Sequence, residues 1–317
     1  MDLIADIGAT NTRCALIDDR GRIVSTEIFE NAKFEGLEAL LKAYLSRRRA
    51  TDQPRRAALA IAAPIVADEI EMINIDWRFC QSELKSGLGL NRLTVLNDFA
   101  ALAWALPSLG PNDRRQIGTG TPVTRTPLAV LGPGSGLGVA SLVPTTDGWT
   151  AVSGEGGHVT LASATSEEAE VVDIVRDDTG HCSAERVLSG PGLVRVYEAL
   201  AQLNGRGEVT VEPADVTALA EQGEPLATKA LTLFFSFLGT IAGNLALTVG
   251  ARGGVYIGGG IIPRVVDAFE ASPFRARFMA KGSYRKYLEP IPTYVITAPL
   301  PAFRGLLTLL GYRRGTV

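Results

Sequence analysis

Hydrophobic and polar positions alternate from the start of the chain. In DLIADI (Asp2–Ile7), Leu3, Ala5 and Ile7 share one face, which is the period of a strand. TRCALID repeats the cadence, DDRG reads as a turn, and RIVSTEIF as a third strand. The period then lengthens, and Phe34 to about Arg48 predicts a helix. AALAIAAPI is a continuous apolar run stopped by Pro64, the pattern of a buried strand. RLTVLNDF is another apolar strand and delivers Asn97 and Asp98 at its C-terminal end, with a helix predicted in AALAWALPSL. After a stretch rich in Pro, Gly and Thr (Leu109 to Thr126), PLAVLGPGSGLGVASLV again reads as strand, glycine turn, strand. Helical patterns dominate from Ser166 to Val249. GGVYIGGGIIP then gives a strand running into glycines, TYVITA a late strand, and AFRGLLTLLGYRR a helical tail. Two strand series, each with a glycine-bearing hairpin and mixed with helices, predict an α/β protein of two lobes with a ligand in the cleft between them.

Composition narrows the class. The 317 residues are 46% apolar and 21% charged, which suits a globular chain with a real core. A net charge of −3 argues against a nucleic-acid partner. The arginines of SRRRATDQPRR (Arg47, Arg48, Arg49, Arg55, Arg56) read as the solvated end of the preceding helix, where cations meet the negative end of the dipole. Cys14, Cys80 and Cys182 are odd in number and lack metal-ligand spacing, so a reduced, cytoplasmic chain is expected. No signal-peptide pattern is visible, because Asp2 and Asp6 interrupt the only early apolar run. Ala230 to Val249 has no charge across 20 residues, long enough to span a membrane. Ser236, Gly239, Gly243 and Asn244 interrupt it, so it reads as a buried helix apolar all round, with Gly239 and Gly243 set for close packing against another element. No membrane partner is expected.

Three glycine turns stand out: DIGATNT (Asp6 to Thr12), GPGSGLG (Gly132 to Gly138) and IGGGIIP (Ile257 to Pro263). Glycine permits positive φ and close approach of a ligand, and successive exposed N–H groups make a concave anion site. The hydroxyls of Thr10 and Thr12 add donors. Asp6 cannot bind a phosphate directly because like charges repel, but it fits a hard cation such as Mg²⁺ held through water. No G-x-x-x-x-G-K-[ST] and no strict G-x-G-x-x-G occurs, so the P-loop and the dinucleotide fingerprint lose support.

Polar groups suited to a polyol follow the strands: Asn97-Asp98, Glu155 and His158 in SGEGGHV, and Glu185 in CSAERVLSGPG. Carboxylates accept strongly from sugar hydroxyls, and Asn and His complete such a network. Phosphoryl transfer to a hydroxyl also needs a proton acceptor, a task Asp98 can fill. Plainer roles exist for the same residues. Asn-Asp after a strand caps a helix, and Glu185 suits a first helical turn behind a Ser183 cap.

ADIGATNTRCAL, LNDFAA, GPGSGLGVA, SGEGGHV, AERVLSGPGL, NLAL and GGVYIGGGIIPR, in this order and spacing, resemble the bacterial glucokinase family of the actin-like sugar-kinase superfamily. The resemblance spans nearly the whole chain. It implies the two-lobed actin-like (hexokinase/ribonuclease H-like) α/β fold, with residues 1–108 plus 299–317 as the small lobe and 109–298 as the large lobe. It also implies ATP-dependent phosphorylation of glucose at its 6-hydroxyl with Mg²⁺, in a homodimer. Asp98 then falls on the catalytic base, and Asn97, Glu155, His158 and Glu185 on sugar-binding positions. Asp6, Gly8, Ala9, Thr10 and Asn11 fall on the first phosphate turn, Gly134, Ser135 and Gly136 on the second, and Gly258, Gly259 and Gly260 near the adenosine. Kinases of mannose, fructose or glucosamine, and a non-catalytic sugar sensor, remain as alternatives on the same fold.

Overall fold

Leu3, Ala5 and Ile7 do share a buried face, on strand β1 (Asp2–Ile7). The computed structural model describes residues 1–73, 75–207 and 210–312. The chain divides into two units, Met1–Gly110 with Ala298–Val317, and Pro111–Thr297.

The first unit holds β1, β2 (Asn11–Ile17), β3 (Ile23–Glu30), β4 (Arg56–Ile61), a separate short pair β5 (Glu69–Glu71) and β6 (Arg78–Cys80), and β7 (Arg92–Asn97). The main sheet runs β3-β2-β1-β4-β7: an antiparallel meander joined to two parallel strands. Both faces are covered. Leu3, Ala5 and Ile7 pack with Leu40, Leu41 and Tyr44 of the helix Leu37–Ser46. On the other face Ile4, Ala58 and Ala60 pack with Phe303, Leu306 and Leu307 of the helix Pro301–Leu309. A parallel strand covered on both faces reads as a continuous apolar run, which explains AALAIAA. Each of those large side chains, once buried, contributes roughly 1.5–3 kcal/mol.

Several boundaries move. The helix expected from Phe34 begins at Leu37, because Asn31–Lys33 form a 3₁₀ turn first. The tail helix ends at Leu309, and Arg313 and Arg314, expected to continue it, lie outside the described residues. The arginine stretch is not simply solvated. Arg47 and Arg48 both pair with Glu27 of β3, and Arg48 stacks on Tyr44. Arg56 lies within β4, and its guanidinium pairs at 2.5 Å with the buried Asp2, which also accepts from the Tyr312 hydroxyl at 2.7 Å.

The second unit contains β8 (Arg114–Ile117), β9 (Leu128–Pro133), β10 (Leu137–Thr145), β11 (Gly148–Gly154), β12 (Gly254–Ile257) and β13 (Thr293–Ile296). Its sheet order is β11-β10-β9-β12-β13-β8, so its first five strands repeat the meander-plus-two-parallel plan of the first unit. The edge strand β8 was hidden in the Pro/Gly/Thr-rich stretch. Only Ile117 of it is buried, and pairing with β13 rather than apolar alternation holds it. The long apolar helix Pro225–Val249 is a core helix, with Phe234, Phe237 and Leu238 fully buried. The carbonyl oxygens of Phe274 and Phe278, from the helix Phe274–Met279, sit where a Cβ on Gly239 or Gly243 would stand. That is the close packing the two glycines predict.

Candidate active site

The β1–β2 hairpin closes at the pair Ile7–Thr12, and its turn is tied from outside the hairpin. Asn31, 1% exposed, donates through Nδ2 to the carbonyls of Gly8 (2.8 Å) and Ala9 (3.1 Å). Its Oδ1 accepts from the Thr12 hydroxyl (2.8 Å), and its backbone N–H donates to the Thr10 carbonyl (2.9 Å). Thr12 is fully buried, so its hydroxyl serves Asn31 and is not a ligand donor, contrary to expectation. Gly8 N–H donates across the turn to Asn11 O (3.0 Å). Among the described residues the N–H groups of Ala9 and Thr10 meet no acceptor. Thr10 and Asn11 are exposed.

Asp6 stands at the foot of this turn, half-buried and paired across the hairpin with Arg13. Desolvation pushes its carboxyl above the usual carboxylate range, and the Arg13 guanidinium offsets part of that rise. Only desolvation and the Arg13 charge act on the Asp6 carboxyl, and among the described residues no cluster of three metal-ligating side chains exists. A single desolvated carboxylate fits a Mg²⁺ ion that keeps its waters and binds chiefly through phosphate oxygens.

The parallel strands bring a second pair of groups to the same edge. Ile7 of β1 is level with Ile61 of β4, and Ile61 with Asn97 of β7. The first turn and Asn97-Asp98 therefore leave the C-terminal edge of one sheet, the edge where open α/β sheets place their ligands. Asn97 caps the helix Asp98–Ala105: Oδ1 accepts from Phe99 N (2.9 Å) and Ala100 N (3.4 Å), while Nδ2 donates to Ala63 O (3.3 Å). The plainer role of Asn97 thus holds, and one amide proton is left for a ligand. Asp98 is half-buried, and its Oδ1 accepts from Phe99 N (2.9 Å).

In the second unit the β9–β10 hairpin closes at Pro133–Leu137, around Gly134, Ser135 and Gly136. Gly134 N–H donates to Gly136 O and Gly190 N–H to Gly134 O, both at 2.8 Å. Leu137 N–H donates to Oε2 of Glu185 at 2.7 Å. Among the described residues the N–H groups of Ser135 and Gly136 meet no acceptor. The third glycine turn is seated against this hairpin. Gly258 N–H donates to Leu131 O (2.8 Å), and a Cβ on Gly259, whose φ is +78°, would collide with Pro133 O. Of the turn glycines only Gly259 uses positive φ; Gly8, Gly134, Gly136, Gly258 and Gly260 do not, which corrects that part of the expectation. The chain that follows this turn contributes Arg264 and Asp267 to a pocket of about 630 Å³, with Glu221, Thr228 and Phe235 also among its walls.

Glu185 also meets the sugar candidates. Its Oε1 lies 3.9 Å from Nε2 of His158, and both side chains reach solvent. Ser183 caps the short helix Ala184–Val187 through Arg186 N–H (3.2 Å), so its plainer role holds as well. Glu155 is exposed, and its carbonyl accepts from His158 N–H (3.0 Å) across a 3₁₀ turn. The structure thus gathers Glu155, His158, Glu185, Gly134–Gly136 and Gly258–Gly260 in one unit, and Asp6, Gly8–Asn11, Asn97 and Asp98 in the other.

Asn31 is the residue that reading the sequence missed. A lone Asn after a strand carries no spacing signature, and its partners lie about twenty residues upstream. The only signal is a polar residue, the second of ENAKF, where the apolar pattern pauses.

Comparison with known proteins agrees along the full chain. The family described as Glucokinase matches residues 3–311. A glucokinase of Paramagnetospirillum magneticum is 46% identical over 312 residues, covering 98% of this chain and 97% of that one. A glucokinase of Aromatoleum aromaticum is 46% identical over 313 residues, covering 97% and 94%. The crystal structure of a glucokinase from an Antarctic psychrotroph superposes with a TM-score of 0.87 at 37% identity, covering 98% of this chain and 99% of that one. The fold is the actin-like α/β fold of the sugar kinases, and the chain belongs to the glucokinase family.

Proposed function

We propose that this protein transfers the γ-phosphoryl group of ATP to the 6-hydroxyl of glucose. The observation that carries the reading is the pair of hairpin turns, each offering two consecutive N–H groups without an acceptor among the described residues, in a chain of this family. Such paired donors suit phosphate oxygens. The N–H groups of Ala9 and Thr10 in the first unit, and of Ser135 and Gly136 in the second, are the donors offered to phosphate oxygens. The pocket that Arg264 and Asp267 line takes the adenosine.

Asn97, Glu155, His158 and Glu185 hold the sugar, its hydroxyls donating to the carboxylates and accepting from the amide and imidazole N–H groups. Asp98 accepts the 6-hydroxyl proton as the new O–P bond forms and the bond to the departing ADP breaks. Asp6 would hold Mg²⁺, and that ion would supply charge neutralisation to the phosphates. The protein works as a cytoplasmic homodimer.

Asp98→Asn tests the assignment. It keeps the side-chain shape and the acceptor for Phe99 N–H, so fold and glucose binding persist. Loss of a general base lowers kcat by about 10²–10⁴-fold. Near wild-type turnover would remove Asp98 from the role. A coupled assay across hexoses, run on the same preparation, reads the substrate: faster turnover of mannose, fructose or glucosamine than of glucose defeats the glucose assignment.

A further inference from the structure

Glu185 has two faces. Oε2 accepts from Leu137 N–H at 2.7 Å and so holds the second turn in place. Oε1 points the other way, toward His158 Nε2 at 3.9 Å, and the side chain is 33% exposed. The helix that carries it has its own cap in Ser183, so the carboxylate is not consumed at the helix end. Gly136 lies directly beneath it: a Cβ there would stand 2.5 Å from Oε2. A side chain at 136 would therefore displace that carboxylate from its present place.

From this we infer that Glu185 is a positioning residue that couples sugar binding to nucleotide binding. The inference rests on the assignments of the previous section. A sugar hydroxyl donating to Oε1 fixes the carboxylate's orientation. A fixed carboxylate keeps Oε2 on Leu137 N–H, and the turn then presents Ser135 and Gly136 N–H to phosphate. The coupling runs equally in reverse, because a shift in one affinity by the other ligand is reciprocal. His158 enters as the group that shares Oε1 with the sugar.

The test is calorimetric. Glucose affinity is measured with and without saturating AMPPNP and Mg²⁺, and AMPPNP affinity with and without glucose. In the wild type each ligand tightens the other by roughly 5- to 150-fold, the ordinary range of site coupling. Gly136→Ala drives a methyl group against Oε2 of Glu185 while touching none of the other side chains assigned to the sugar, and it brings both ratios close to one. Ser135→Ala, on the same turn but away from the carboxylate, keeps the backbone N–H groups and leaves both ratios as in the wild type. Should Gly136→Ala fail to fold by circular dichroism, Glu185→Gln replaces it. Its single amide oxygen can accept from Leu137 N–H or face the sugar, not both, and the ratios fall in the same way. A wild type that binds both ligands with ratios of one overturns the coupling, as does a folded Gly136→Ala that keeps the wild-type ratios. A wild type that binds no glucose instead overturns the sugar assignment on which the coupling stands.

Discussion

The two hairpin turns sit in the same place on the same sheet plan, yet they are held by opposite chemistry. The turn after β1 is clamped by a neutral amide, Asn31, buried to 1% exposure, with acceptor and donor both engaged. The turn after β9 is clamped by an ionisable carboxylate, Glu185, a third exposed, with one oxygen on the turn and the other facing His158. A buried amide with every group satisfied gives a turn one geometry. A partly solvated carboxylate gives a turn whose hold answers to what else binds that carboxylate. On the proposed function, the first unit would supply a fixed surface for phosphate and the second a surface that responds to sugar.

The strongest way to break this contrast is to exchange the clamps' chemistry. Asn31→Asp keeps the size of the side chain but removes both N–H groups and sets an acceptor against the carbonyls of Gly8 and Ala9. Each buried polar group left unsatisfied costs about 1–3 kcal/mol, and more when charged. The expected loss in urea unfolding is about 3 kcal/mol, with a raised KM for ATP. Wild-type stability in this variant would show that the first turn does not depend on its amide.

What could be read in advance divides along the same line. The apolar alternation of β1, the continuous run of β4 and the Gly239/Gly243 pair each placed their element, because burial repeats along the chain and leaves a period. Glycine likewise announced all three turns. The clamps were hard to read because a single polar side chain meeting a distant backbone leaves no period. Glu185 was read as a sugar group or as a first-turn carboxylate, and its bond to Leu137 crosses 48 positions. Thr12 was misassigned for the same reason: its hydroxyl has a buried partner 19 positions away. The edge strand β8 and the pair β5–β6 escaped because pairing, rather than alternation of apolar residues, sustains them.

A smaller effect separates the turns by their glycines. Gly259 combines φ of +78° with a Cβ position blocked by Pro133 O, so backbone meets backbone and little can yield. Gly8, by contrast, lacks positive φ and would place a Cβ 3.3 Å from Asn11 O, a milder contact. Overpacking against unyielding neighbours costs about 1–3 kcal/mol. Gly259→Ala is therefore expected to lower Tm clearly and weaken AMPPNP binding, while Gly8→Ala stays close to the wild type in thermal unfolding. Equal Tm values for the two variants would mean that the second and third turns do not lean on each other.

The least disruptive change concerns the residue just before each hairpin's closing pair, Asp6 in the first unit and Gly132 in the second. Only the first carries charge. Desolvation raises the Asp6 carboxyl above its ordinary value of 3.8 in the folded state, with Arg13 offsetting part of the rise. A folded-state value above the unfolded one means that the native protein binds this proton more tightly. The stabilisation is complete below 3.8 and is lost as pH climbs through the raised value, so ionisation of this carboxyl opposes folding. Asp6→Asn removes that opposition. The ligand-free variant should melt slightly above the wild type at pH 7, by less than Gly259→Ala lowers it, and the difference should vanish toward pH 3. The same variant should lose the extra thermal stabilisation that Mg²⁺ adds to AMPPNP in the wild type. A lower melting point for ligand-free Asp6→Asn at pH 7 would mean that the charge is already satisfied within the fold, and the first turn would then have no more need of a cation than the second.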